Sequence, residues 1–96
     1  VSTTEYQSAL AIELEGDVEL AAGRIHSALA RYRQASAMVP ENDHFVSRVL
    51  QMARTTNDDQ LILECLRRLL ELDPFSPSKA RDVAAQEKKM QPSDMN

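Results

Sequence analysis

A chain of 96 residues allows one domain with one modest core, and with four aromatics and no tryptophan that core must be aliphatic. A net charge of −4 with both signs mixed along the chain argues against nucleic acid, whose binders carry a basic face; Arg67-Arg68 and Lys88-Lys89 are too short to track phosphates. One cysteine excludes an intrachain disulfide, and no apolar run approaches the roughly 20 residues a membrane span needs, so no membrane insertion is expected. Two glycines and four prolines are few for an all-β fold. The single thiol fits a reducing compartment, so the expected location is the cytoplasm. The chain starts at Val1 rather than Met, which keeps open a fragment of a larger protein or a processed form.

Five helices are expected, in hairpins. The first spans about Thr3 to Ala22, opened by Ser2 with Glu5 at capping-box spacing and ended by Gly23. Tyr6, Leu10, Leu14 and Val18 recur every four residues as its apolar stripe. The second spans about Ile25 to Met38, with Ile25, Ala28, Leu29, Tyr32, Ala35 and Val39 at three- and four-residue steps; Pro40 follows it. The third spans about Asp43 to Thr55 behind Asn42 as cap. Its stripe is Phe45 or Val46, then Val49, Leu50 and Ala53. The fourth spans about Asp58 to Leu72 with Asn57 as candidate cap, is the most apolar, and stops at Asp73-Pro74. The fifth opens at Ser76-Pro77 and runs to about Met90 with a thin apolar set, Ala80, Val83 and Ala84. Residues 91–96 form a polar tail, expected to fray. Loops of two to four residues force antiparallel neighbours.

Pro40 and Pro74 stand 34 residues apart, each closing a helix hairpin. Within the first unit, Gly16, Gly23, Ala28, Tyr32, Ala35 and Pro40 fall at the small, turn, small, aromatic, small and closing positions of the tetratricopeptide repeat. The chain therefore resembles that family over about residues 9–74 and more weakly over 77–90. The resemblance implies a short right-handed α-solenoid in one domain, residues 1–90. Repeat one covers about 9–42, repeat two about 43–76, and a capping helix about 77–90. Repeat two is degenerate: Leu50 replaces the small residue, Asn57 the turn glycine, Ile62 and Leu69 the alanines and Leu66 the aromatic. Glu15 and Glu19 stand at positions usually apolar in the family, which points either to a rotated helix or to a solvent-facing one, the second being preferred.

The resemblance also implies a function. Such arrays hold a peptide or helix of a partner protein in the groove lined by the first helix of each hairpin. By position, the lining residues are Leu10, Glu13, Leu14, Asp17 and Ala21, then His44, Ser47, Arg48, Gln51, Arg54 and Thr55, then Ser78, Arg81 and Asp82. The bland alternative is ordinary solvated charge. Family members that clamp an acidic chaperone tail use Lys and Asn where this chain has Glu13 and Asp17, and two carboxylates repel a carboxylate. Arg48 and Arg81 alone cannot restore that clamp.

Catalysis is not expected. Cys65 sits between Leu63 and Leu66, where a thiol is commonly a small buried hydrophobe, and His26 and His44 are the only histidines. Metal and cofactor sites are not expected either, since ligands at regular spacing and a Gly-rich phosphate loop are both missing. Asp58 and Asp59 suit a helix N-terminus. Met38 and Met52 are expected to fill the core. The leading reading is a protein-interaction adaptor or scaffold. The alternative is an assembly module that forms homo-oligomers or docks a subunit through its exposed ends.

Overall fold

A computed structural model describes residues 2–92. It is an all-α stack of five helices: α1 (Thr3–Ala21), α2 (Ile25–Met38), α3 (Asp43–Thr55), α4 (Asp59–Leu72) and α5 (Pro77–Met90). Backbone packing runs in chain order, α1 on α2, α2 on α3, α3 on α4 and α4 on α5. The part of the tail beyond Pro92 lies outside the described residues.

The helix boundaries follow local chemistry. Ser2, Asn42 and Ser76 cap α1, α3 and α5 by accepting the backbone N–H of Glu5, His44 and Lys79. Both hairpin turns close in the same way. After α1, Gly23 takes φ +79°, its N–H bonds Leu20 O, and the next N–H, of Arg24, reaches back to Glu19 O. After α3, Asn57 takes φ +55°, its N–H bonds Arg54 O, and Asp58 N–H bonds Ala53 O. Asn57 thus serves as the turn residue the resemblance assigns it. It does not cap α4: Asp58 does, its Oδ1 accepting Leu61 N–H at 3.1 Å. A residue in the left-handed region cannot also be the extended N-cap of the next helix, so capping moves one position on.

The core has two parts. The larger surrounds α4, which buries Leu61, Ile62, Leu63, Cys65, Leu66 and Leu69 against Val46, Val49, Met52 and Ala53 of α3, with Val83 arriving from α5. The smaller comprises Ala9, Ala35, Val39 and Phe45, flanked by Leu10, Ile12 and Met38. Phe45 and Val46 are both buried, and Met52 fills the core while Met38 is half-buried.

Helix α1 corrects the expected stripe. It buries Ala9, Glu13 and Gly16, and leaves Tyr6, Leu14 and Val18 exposed. Strict steps of four advance about 40° round a helix each time, so the row from Tyr6 to Val18 winds off the packed face. Steps mixing three and four keep to one side. Gly16 is required there by a close approach: a Cβ at this position would lie 2.7 Å from Tyr32 Cε1. Glu15 is exposed, with a loose ion pair to Arg31 at 3.6 Å, whereas Glu19 is half-buried and paired with Arg24, so the solvent-facing alternative holds for Glu15 only.

Candidate protein-binding groove

Glu13 and Asp17 stand one turn apart on α1, and His44 and Arg48 one turn apart on α3, so two acids meet two bases across the hairpin boundary. Glu13 is only 7% exposed. Its Oε2 lies 2.5 Å from His44 Nε2 and 3.3 Å from Arg48 Nε. A carboxylate so far withdrawn from water needs such partners, because stranding it costs several kcal/mol by general experience.

Arg48 is the hub. Its Nη2 donates to Asp17 Oδ1 and, at 2.8 Å, to the Tyr32 hydroxyl. Its Nη1 donates to Gln51 Oε1 at 3.3 Å. The guanidinium also stacks over the Tyr32 ring, 4.6 Å from the centroid. Nε is buried without an aligned hydrogen bond, so its attraction to Glu13 is that of charge at short range. Tyr32 completes the circuit by donating to Asp17 Oδ1 at 2.5 Å. Burial, and next the bond to Asp17, push the Tyr32 phenol up from 10.0 to about 12. The hydroxyl therefore stays protonated and keeps donating.

The expected lining residues accordingly divide. Glu13, Asp17, His44 and Arg48 are joined in this network; Glu13 faces inward rather than into open groove, while His44 keeps an exposed edge. Leu10 is half-buried and packs on the smaller core cluster. Leu14 is 63% exposed. Ser47, Gln51 and Arg54 are exposed on α3 and Arg81 on α5. Tyr32 is the one partner of the network that the resemblance places at the aromatic position of α2 and not among the groove residues. The matched four-residue spacing of the two acids and the two bases was the available signal.

Elsewhere the chemistry is quiet. Cys65 is buried, and desolvation, reinforced by the charge of Glu64, pushes its thiol up to about 11. It sits in the floor of a hollow of about 290 Å³ between α2, α3 and α4, with Val46, Val49 and Leu61. His26 is exposed at the start of α2. Asp59 of α4 is held below the usual carboxylate range by hydrogen bonds, first from Lys89 and then from Gln86, both of α5. Arg68 ties α4 back to the first hairpin, donating to Pro40 O at 2.7 and 3.0 Å. Among the described residues, no group of three or more His, Cys, Asp or Glu is placed to hold a metal ion, and no helix is long and apolar enough to cross a membrane. Neither a protein-family model nor a curated protein matches the chain.

Proposed function

We propose that the chain is a binding module of tetratricopeptide type, with no catalytic role, that holds a peptide or helix of a partner protein along α1, α3 and α5. One observation carries this reading: of the four large hydrophobics exposed in the described residues, three (Tyr6, Leu14 and Val18) lie on α1. A charge network stiffens the boundary between α1 and α3, while apolar side chains are left facing water beside it. The exposed polar groups that can orient a ligand there are Ser47 and Arg54, with Gln51 held by Arg48 beside them and Arg81 further along. In such grooves a few buried apolar contacts carry most of the affinity, and the polar rim selects the register. The inert thiol of Cys65 and the engagement of His44 with Glu13 favour binding over chemistry.

The test uses a partner identified by crosslinking and then titrated as a purified protein. Leu14→Glu and Arg54→Glu are each expected to weaken binding about tenfold or more, roughly 1.4 kcal/mol. Arg33→Glu, on exposed α2 surface away from the groove, is expected to leave it unchanged. The opposite pattern, loss with Arg33→Glu and none with the other two, would move the binding site off the groove.

A further inference from the structure

The stack has two ends of opposite character. Interior helices are covered by sequence neighbours on two sides, whereas α1 packs its backbone chiefly on α2, and α5 on α4. The outer surface of a terminal helix is normally polar. Helix α5 conforms: Arg81 and Lys88 project outward, exposed, and make no ion pair among the described residues, and Ala84 and Ala85 lie beside them. Helix α1 does not. Ala11, Leu14 and Val18 fall within roughly 60° of its surface at about 100° per residue, and Leu14 and Val18 are 63% and 65% exposed.

Charge separates the two ends as well. Helix α1 has no basic residue; of its acids, Glu13 and Asp17 are engaged by Arg48 and Glu19 by Arg24, which leaves Glu5 and the loosely paired Glu15. On α5, Lys79 and Lys89 pair with Asp73 and Asp59 and Glu87 with Arg67, which leaves Arg81 and Lys88 against Asp82. Glu15, flanking the apolar arc of α1, has only its loose exposed contact with Arg31, a kind of pair that is cheap to exchange.

We propose that the occupant of the exposed α1 face is α5 of a second copy of this chain, the two ends meeting head to tail. Leu14 and Val18 pack over the small side chain of Ala84, beside Arg81 and Lys88, where the two helices can approach. Arg81 and Lys88 meet Glu15 on the flank of that arc. The second copy's α1 then takes the place a sixth helix would hold in the stack. The contact is heterologous, so it repeats from copy to copy rather than closing on a pair. Leu14, Val18 and Arg81 serve both proposals, but self-association needs no other partner, so ultracentrifugation of the chain alone and titration of a partner can each fail separately.

The test is analytical ultracentrifugation of the full chain from roughly 10 to 500 µM. The mass average is expected to rise with concentration past that of a dimer, and to fall back in about 0.5 M salt. Val18→Lys and the double variant Arg81→Glu/Lys88→Glu change exposed positions only, and circular dichroism is expected to show unchanged helix content in both. Each is expected to be monomeric alone, and a mixture of the two is expected to associate, because one supplies an intact α1 face and the other an intact α5. A wild-type chain that stays monomeric throughout overturns the proposal. So does association that survives in Arg81→Glu/Lys88→Glu, which would mean that α1 pairs with α1, and so does a mixture that remains monomeric.

Discussion

The two complete hairpins hold together by different chemistry. The α1–α2 hairpin relies on closeness: Ala9, Gly16, Ala28 and Ala35 bring the helices together, and an edge of the Tyr32 ring lies against Gly16. Apart from Tyr32 and Glu13 the buried residues of its two helices are alanine and glycine, and the charge network of Glu13, Asp17 and Arg48 secures its boundary with α3. The α3–α4 hairpin relies on bulk, with leucines and isoleucine of α4 meeting valine and methionine of α3. Each buried methylene there contributes about 0.8 kcal/mol. The same architecture is thus reached once by fit and charge, and once by hydrophobic volume. The first route is sensitive to added atoms, salt and pH, and the second to removed atoms.

The largest effect should come from emptying the bulky side. Leu66→Ala is expected to destabilise by about 3 kcal/mol in urea unfolding, whereas Leu66→Met, which keeps the volume, should cost under about 1.5 kcal/mol. Equal costs for both would show that α4 is not held by packed volume. On the close-packed side, Gly16→Ala is expected to cost about 2 kcal/mol, because the new methyl meets the Tyr32 ring. Combined with Tyr32→Leu, the two changes should be clearly non-additive; simple addition would mean the contact is not what requires glycine.

Charge gives a smaller and condition-dependent effect. Glu13→Gln is expected to lower stability by about 1 kcal/mol, because a neutral amide holds Arg48 less firmly than a carboxylate. A matching loss in Leu-rich α4 variants as salt rises would erase the contrast between the hairpins. The Tyr32 phenol adds an alkaline limb. Its folded value of about 12 lies above the ordinary 10.0, so the phenol loses its proton earlier in the unfolded chain. Stability contributed by the protonated phenol is complete below about pH 10 and is lost as pH rises towards 12. Tyr32→Phe should shrink that fall, leaving the share due to the raised Cys65 thiol. The smallest effect concerns Cys65 itself: a thiol reagent at pH 8 should label it slowly in the folded chain and fast in urea, and fast labelling of the native state would place α4 among the loosely held elements.

Where one residue decides a structure, the sequence was readable; where two remote residues decide it together, it was not. Ser2, Asn42, Ser76 and Gly23 act through their own backbone, and the helices start and stop beside them as their chemistry requires. Asn57, Asp58 and Asp59 are three capping residues in a row, and only the turn geometry chooses Asp58. The buried face of α1 was hidden because it consists of alanine, glycine and a glutamate, which no hydrophobic pattern marks. The candidate groove residues were placed by resemblance, and their mutual engagement depended on how α3 lies against α1. Gly16 was legible in type, but the ring it accommodates could be measured only in three dimensions.

Because the helices pack in chain order, hardly any segment must wait for a distant one before it gains contacts. Low contact order of this kind goes with folding in microseconds to milliseconds, since short loops close at little entropic cost. Nucleation should begin in α3–α4, whose leucines already reward the first collapse, and spread outward to α5 and then to α1. Helix α1 would be the last to dock and the first to exchange its amide hydrogens. Its Glu13 can enter the interior only after Arg48 is in place to receive it.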